Sequence, residues 1–528
     1  MNILDNLGIY VRTLRHLKPI QVFNRIKRKM FPAKVDLSPA PNIRHLSHEA
    51  FYYINKHKSI IGRNHFYFLN IKGYLTFPEG WNDTNYPKIW LYNLHYFEGL
   101  LNNDTPTALK KHFIEQWVEE NSPGKGNGWE PYPNSLRIVN WIKWSLSGNE
   151  LSPDVIKSLA IQVRYLSSTL EYHLLGNHLF VNIKALVFAG IFFEGREADE
   201  WFQKGFEKLM KEIPEQFLAD GAHFELSPTY HALLTEDLLD IVNILQVSKK
   251  TVPEQWIKTV EKAIRWMMVM TRPDGLPPLF NDSAYGISPN IEEIVVYANQ
   301  IGIECLTVKK QGLQLLSESG YFRHDETKYS IIGDVGQIGP SYQPAHTHCD
   351  MMNFELFSNG IPIIVDTGTS TYEVGLQRAL ERSTAAHNTV QIQTHEQSEI
   401  WGGFRVGRRA KILKRRVGSN YIEASHDGYK KLGAIHIRNF SFYKDKIHIN
   451  DIMTGYDASV ICRIHLHPEI KLELNGEKVK VGHVTLLFEN ASSVKIKDYE
   501  YAPEFNKRIT AKVIEIEFYN TLMTYIIL

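Results

Sequence analysis

The sequence has few cysteines, no excess of either charge and no long apolar run, and each absence excludes a class of protein. Three widely separated cysteines among 528 residues exclude a disulfide framework and a cysteine-based zinc site. With 59 Lys and Arg against 58 Asp and Glu, the chain as a whole lacks the electrostatic footprint of a protein that binds nucleic acid or an anionic membrane. Any site for a polyanion must therefore be local.

The longest apolar run, residues 185–193, is far shorter than the roughly 20 residues that span a bilayer. The first 32 residues carry seven basic residues but no apolar stretch long enough for a secretory signal. We therefore expect no transmembrane segment and a cytoplasmic location, while a periplasmic or secreted location stays open. The oligomeric state cannot be predicted from the sequence.

Apolar residues recur at helical spacing from about residue 90 to 300. Segment 177–194 is apolar on nearly every face, so we expect other helices to surround it, as around an inner helix of a toroid. The spacing predicts helices near 107–121, 131–147, 153–174, 177–194, 197–217, 228–247 and 253–271.

After about residue 310 the pattern changes to short alternating runs rich in β-branched and aromatic residues, which predict antiparallel strands. Helices followed by strands favour an α+β chain of several domains over a βαβ sheet. We predict an N-terminal helical extension (1–80), a helical domain (81–310) and an antiparallel β-sheet domain (311–528). The clearest strand candidates are 353–357, 361–365, 388–392, 436–442, 446–451 and 513–518.

Two predicted helix starts carry residues suited to acid–base chemistry. Asn177 and His178 follow Gly176, where free backbone N–H groups favour an anion, although Asn177 could simply be a helix cap. Ser227 and Pro228 predict a helix start that places Tyr230 in the first turn. The helix dipole there would lower the pKa of the phenol, whereas ordinary core packing is the alternative.

His346 and His348 precede Asp366 and His387 in the sequence, and a His/Asp/His set from this group with an open fourth position is a plausible zinc site. Two histidines at i and i+2 of an extended segment project to one side, and a sheet could bring the other two residues beside them. His465 and His467 repeat this spacing without a carboxylate nearby in the sequence, so spacing alone does not identify a metal site.

Residues 401–416 contain seven basic residues and no acidic residue. The run predicts either the rim of a cleft for a polyanionic substrate or a solvated face of a β-sheet.

Together these stretches resemble the heparinase II/III-type polysaccharide lyases, a superfamily that includes alginate lyases. The resemblance implies an N-terminal (α/α) toroid, an incomplete helical barrel, followed by a C-terminal antiparallel β-sandwich, with the active cleft between them. It further implies β-elimination on a polysaccharide containing uronic acid, such as heparan sulfate, chondroitin, hyaluronan or alginate, which leaves unsaturated uronate ends. The resembling segments are 128–141, 174–190, 220–240 and 344–390.

The resemblance also implies roles for individual residues. Asn177 and His178 would contact the uronate carboxylate, Tyr230 would donate a proton, and His346 would lie opposite it. One divalent ion, zinc or alternatively manganese, would have a structural or orienting role and be held by His348, Asp366 and His387. An acidic polysaccharide would be bound by Trp129, Tyr132, Arg137, His231 and Arg405.

Two other functions remain open at this stage. An (α/α)-barrel glycoside hydrolase would use two carboxylates from among Asp220, Glu225 and Asp237, and its products would lack the unsaturated uronate. A non-catalytic glycan-binding or assembly protein of an exopolysaccharide system would keep the fold but would not require a phenol at a helix start.

Overall fold

A computed structural model describes residues 3–45, 51–305, 307–308, 310–476 and 478–528. Helices dominate the first part and antiparallel sheets the second, which confirms the predicted toroid followed by a β-sandwich. All seven predicted helices are present. The helices of the toroid are α3 (Lys88–Tyr96), α4 (Thr107–Glu120), α5 (Pro131–Leu146), α6 (Pro153–Thr169), α7 (Gly176–Phe192), α8 (Arg196–Gln216), α9 (Pro228–Val247), α10 (Glu254–Met270) and α11 (Ile291–Gln300).

Helix α7 is the inner helix that its composition predicts. It packs against α5, α6, α8 and α9, and its side chains are buried almost without exception. A Cβ atom at Gly190 would lie 2.4 Å from the backbone nitrogen of Phe202. Glycine at this position therefore allows α7 and α8 to come into backbone contact.

The first 80 residues, predicted as a helical extension, contain a small sheet as well as helices. Helices α1 (Ile3–Leu14) and α2 (Pro19–Met30) precede a three-stranded antiparallel sheet of β1 (Ile60–Gly62), β2 (His65–Phe68) and β3 (Ile71–Tyr74). Phe66 and Phe68, two residues apart, point to the same side and pack on Phe113 and Trp90 of the toroid. This period of two favours a strand over a helix.

Two large antiparallel sheets and one two-stranded sheet form the second part. The first large sheet has five strands in the order β4-β5-β6-β7-β8, the second has the order β12-β13-β14-β15-β20-β19-β18-β17, with β16 pairing with both β20 and β9, and β10 pairs with β11. The strands are β4 (Gly312–Leu315), β5 (Tyr321–Asp325), β6 (Tyr329–Asp334), β7 (Phe354–Ser358), β8 (Ile361–Ile364), β9 (Val390–Gln391), β10 (Ile400–Trp401), β11 (Arg405–Val406), β12 (Ile412–Val417), β13 (Tyr421–His426), β14 (Ile435–Tyr443), β15 (Lys446–Thr454), β16 (Val460–His465), β17 (Leu472–Asn475), β18 (Lys478–Val481), β19 (Val484–Glu504) and β20 (Lys507–Ile527).

Apolar side chains between the two sheets form one core, in which Phe440 of β14 contacts Phe322 of β5 and Phe354 of β7. Strand β5 also joins the sandwich to the toroid: Tyr321 donates a hydrogen bond to the carbonyl of Leu226, and Arg323 donates to the carbonyl of Val269. A short helix, α12 (Leu376–Glu381), lies in the long connection after β8. Among the residues described, no helix is long and apolar enough to cross a bilayer.

Candidate active site

A cavity of about 1020 Å³ opens between the toroid and the β-sandwich. The first turn of α7, the first turn of α9 and the loop before β7 all reach it. The predicted site residues on its wall are Asn177, His178, Tyr230, His346, Tyr132 and Arg405.

Asn177 is held in place by Glu225. The helix cap is Leu175, so Asn177 lies inside the first turn and is not the cap. Its backbone N–H donates to one Glu225 oxygen at 2.9 Å, and its side-chain amide donates to the other at 2.7 Å. The same amide nitrogen lies 3.5 Å from Nε2 of His346, so it connects the two domains across the cavity.

His178 is paired with Glu171, a carboxylate that no motif in the sequence indicates. Its Nδ1 donates to Glu171 Oε2 at 3.1 Å, and its ring lies 4.5 Å from that of Tyr132. Burial disfavours the charged ring, but the charge of Glu171 outweighs it, so the pKa of His178 is raised above its ordinary value. The raised pKa favours the protonated imidazole, which is the form suited to binding an anionic group.

Tyr230 stacks on His346 with ring centroids 3.7 Å apart, and its hydroxyl lies 3.2 Å from that of Tyr372. Ser227 caps α9 by accepting a hydrogen bond from the Tyr230 N–H, as predicted. The expected lowering of the Tyr230 pKa is wrong, because burial of the phenol raises the pKa above its ordinary value. Tyr230 is therefore protonated and able to donate.

Asp282, in the connection between α10 and α11, organises the histidines. It accepts hydrogen bonds from His346 Nδ1 at 3.0 Å, His348 Nε2 at 2.8 Å and Arg378 Nη2 at 2.7 Å. Burial disfavours its charge, but Arg378 outweighs this and holds the pKa of Asp282 well below its usual range. The ionised Asp282 orients His346 so that Nε2 lies 3.3 Å from Glu225 Oε2.

The predicted metal ligands are buried next to this network. Among the described residues, no three His, Cys, Asp or Glu side chains are arranged as a metal-binding group. His387 Nδ1 donates to Asp366 at 2.8 Å, and the rings of His348 and His387 lie 5.4 Å apart. Nδ1 of His348 and Nε2 of His387 are buried without a hydrogen-bond partner, which is unusual for polar atoms. This donor chemistry fits a divalent cation.

His465, which with His467 repeats the spacing of His346 and His348 without a carboxylate nearby in the sequence, lies next to that set in the structure. Its backbone N–H donates to Asn388 Oδ1 at 2.7 Å, and Asn388 is adjacent to His387. The pairing of β9 with β16 brings His465 close to His387, and this pairing is not visible in the local sequence pattern.

Three predicted substrate-binding residues do not reach the cavity. Trp129 is buried in an aromatic cluster with Trp117. The guanidinium of Arg137 lies 3.8 Å from the Trp117 ring and donates to Gln162 inside the toroid. His231 donates to the carbonyl of Ala263 at 2.9 Å, on the side of α9 that faces α10. All three stabilise the helical packing instead.

The basic run divides between the two predicted environments. Arg405 and Arg409 line the cavity, with the Arg405 guanidinium 4.6 Å from the Trp401 ring. Lys414 and Arg416 lie on β12, an edge strand, where Arg416 pairs with Glu423 on the outer surface. Only the first part of the run can contact a ligand in the cavity.

The carboxylates that a hydrolase would need are already engaged. Asp220 accepts hydrogen bonds from the backbone of Glu318 and Ser319 and is not on the cavity wall. Asp237 pairs with Lys184 at 2.5 Å, and Glu225 accepts two bonds from Asn177. This arrangement does not favour the hydrolase alternative.

Comparison with known proteins identifies one family over most of the chain. Residues 111–298 match the family described as "Heparinase II/III N-terminus", and residues 309–521 match "Heparinase II/III-like, C-terminal". A solved structure of heparinase III has the same fold, with a TM-score of 0.71 at 17% identity over 97% of this chain and 85% of that one.

Two curated relatives are both called heparin-sulfate lyase. The protein from Bacteroides stercoris is 30% identical over 260 residues, which cover 44% of this chain and 38% of the relative. The protein from Bacteroides thetaiotaomicron is 23% identical over 393 residues, which cover 63% of this chain and 55% of the relative. The matched region thus spans about half the length of these relatives or less.

Proposed function

The chain belongs to the heparinase II/III family, and on this premise we propose that it is a polysaccharide lyase acting by β-elimination on a polymer that contains uronic acid. One observation carries the proposal: Asn177, His178, Tyr230 and His346, contributed by both domains, line one cavity, with Tyr230 stacked on His346 at 3.7 Å. The arrangement supports a pairing of an acid and a base on the same cavity wall.

Elimination begins at the proton on C5, which is α to the uronate carboxylate. That proton is a very weak acid until the charge developing on the carboxylate is stabilised by donors. The buried Asn177 and the half-buried His178, whose pKa is raised by Glu171, supply such donors. Glu225 and Glu171 act behind them, because they fix the amide and maintain the charge of the imidazole.

We assign His346 as the base and Tyr230 as the acid. Because Nδ1 of His346 donates to Asp282, Nε2 can accept the C5 proton. The electron pair of the C5–H bond forms the C4–C5 double bond, the C4–O4 bond breaks, and the Tyr230 hydroxyl protonates O4. Asp282 and Glu225 both lie next to the imidazolium that forms and would stabilise it.

The charges on the cavity wall and the names of the two relatives support a proposal for the class of substrate. Arg405 and Arg409 are suited to carboxylate or sulfate groups through paired hydrogen bonds. Since the two relatives are called heparin-sulfate lyases, we propose a glycosaminoglycan of the heparan sulfate type as the first candidate. Chondroitin, hyaluronan and alginate complete the panel to be tested.

His348, Asp366 and His387 would hold the divalent ion. The two buried nitrogens without partners support this assignment, and nitrogen and oxygen donors together favour zinc over manganese. When bound, the ion would supply a fixed positive charge that orients the loop carrying His346. It would not be needed to activate water, because elimination consumes no water.

The decisive experiment measures the ultraviolet absorbance of unsaturated uronate products on the panel of acidic polymers. The control is the same polymer with its carboxyl groups reduced, because a neutral C6 group leaves the C5 proton too weakly acidic to be removed. Cleavage of the native polymer alone would support the proposal. Cleavage of the reduced polymer at a comparable rate would instead favour a hydrolase.

A further inference from the structure

The N-terminal helices α1 and α2 carry an apolar stripe that faces solvent. On α2, Val22, Phe23, Ile26 and Met30 share one face, and the exposed fractions of Phe23, Ile26 and Met30 are 64%, 54% and 65%. Phe31 follows the helix and is also exposed. Contiguous exposed apolar residues of this size mark interaction sites rather than ordinary surface.

Helix α2 packs against the rest of the chain through its polar side. Gln21, its one buried residue, donates to the carbonyls of Leu174 and Tyr342, and Arg28 donates to the ring of His173. An amphipathic helix of a globular protein normally buries its apolar stripe. The opposite orientation of α2 leaves this stripe available for a partner.

Helix α1 extends the same arrangement. Leu7, Val11 and Leu14, at i, i+4 and i+7, are exposed on one face. Its polar residues bind the β-domain: Arg12 pairs with Glu399, and Thr13 accepts a hydrogen bond from Trp401. Polar contacts fix α2, whereas α1 is fixed by these polar contacts together with the buried Ile9 and the packing of Tyr10 on Trp401.

The stripe is surrounded by positive charge. Residues 6–35 contain eight Lys and Arg and no acidic residue. Arg15, Arg25, Lys27, Lys29 and Lys34 are exposed. The positive field is evident at His16, whose pKa is lowered to about 4 by burial and by nearby Arg409, Arg15 and Lys411.

We propose that α1 and α2 form a surface that docks the protein on an anionic lipid bilayer. The apolar stripe would enter the boundary between headgroups and acyl chains, and the surrounding cations would contact lipid phosphates and other anionic headgroups. A polysaccharide could pair with the cations, but it would leave the apolar side chains of Phe23 and Ile26 exposed to solvent. A second copy of the chain would bring two sets of like charges together.

The docking surface adjoins the cavity. Tyr10, Leu14, Leu17 and Arg25 of this region also line the cavity wall. Binding to a bilayer would therefore place the cavity mouth beside the lipid surface. The proposal does not depend on which reaction the cavity performs.

Flotation of the full chain with vesicles tests the proposal. Vesicles of phosphatidylcholine with about one third phosphatidylglycerol should bind the protein, vesicles of phosphatidylcholine alone should bind it much less, and high salt should weaken binding. The double variant Phe23→Asp/Ile26→Asp should reduce binding about tenfold or more. Val296→Asp is the matched control, because Val296 is 56% exposed on α11, within the toroid.

Three kinds of result would overturn the proposal. The first is a failure in the vesicle assay itself, either a wild-type chain that stays unbound to anionic vesicles or a double variant that binds as well as wild type. The second is a dimer in sedimentation that the double variant dissociates, without vesicle binding. The third is a double variant with a raised KM for polysaccharide and no vesicle binding in either protein. Melting temperatures equal to wild type would show that the variants are folded.

Discussion

Replacement of Tyr230 by phenylalanine should slow turnover about 10²–10⁴-fold and leave the protein folded. The change removes one hydroxyl, which lies 3.2 Å from that of Tyr372. The aromatic ring remains and keeps its stacking on His346 at 3.7 Å. The variant therefore removes the proton that Tyr230 would donate but keeps the packing of its ring.

The expected loss is too large to result from altered stability. A hydrogen bond between two hydroxyls contributes about 1 kcal/mol net to folding. A turnover rate reduced about 10²–10⁴-fold corresponds to an activation free energy raised by about 2.7–5.4 kcal/mol. Burial holds the Tyr230 pKa above its ordinary value, so ionisation of this phenol should not slow the wild-type protein below about pH 10.

The assay follows the absorbance of the unsaturated product, and thermal melting is measured in parallel. Tyr321→Phe is the control: this buried phenol donates to the carbonyl of Leu226 at 2.6 Å and is not on the cavity wall. It should lose some stability and keep its activity. If Tyr230→Phe retained more than about a tenth of the wild-type turnover rate, Tyr230 would not be the general acid.

Three further outcomes are expected. Arg405→Gln should raise KM for an acidic polymer at low salt more than at high salt, because ion pairs are screened over ~8–10 Å at 0.1–0.15 M ionic strength; an equal effect at both would exclude ion pairing. Glu171→Gln removes the carboxylate that raises the His178 pKa. Since the cationic His178 is lost as pH rises through that pKa, KM should begin to rise at a lower pH than in wild type, and an unchanged profile would contradict this role. His348→Ala should lose one divalent ion per chain and some thermal stability, whereas His467→Ala should keep both; wild-type protein without a tightly bound ion by elemental analysis would exclude the site.

Local periodicity was sufficient to predict those helices whose sequence pattern lies within a single segment of the chain. The apolar character of α7 identified an inner helix, and the pair Ser227–Pro228 located the start of α9. Both depend on neighbouring residues alone. The sheet at residues 60–74 was missed because its strands are three or four residues long, too short for a clear period.

Assignment of side chains to the cavity was less successful because in a toroid both sides of an inner helix are buried. Tyr132 and Arg137 lie on the same helix, five residues apart, so their directions differ by about 140° around the axis. Tyr132 reaches the cavity, while Arg137 reaches Trp117 and Gln162. Hydrophobic patterning distinguishes buried from exposed positions, but it does not distinguish a cavity wall from a core.

The pKa of Tyr230 shows how a local effect, the helix dipole, competes with a tertiary effect, burial. The start of α9 favours a phenolate by a contribution of about 0.3–1 kcal/mol, which is limited to the first turn. Burial of much of the phenol penalises the charged form by more than this, so the pKa rises. Burial is a tertiary property, and no feature around Tyr230 in the sequence reports it.

Asp282 lies outside every motif that the sequence presented, and its partners explain why. His346, His348 and Arg378 are 64, 66 and 96 residues away in the chain, so no local spacing connects them. Because one carboxylate holds both histidines, a shift of His348 would be transmitted to His346 through Asp282. A divalent ion on His348 would thus fix the orientation of the proposed base without touching the substrate, which gives a physical reason for a metal in a reaction that needs no activated water.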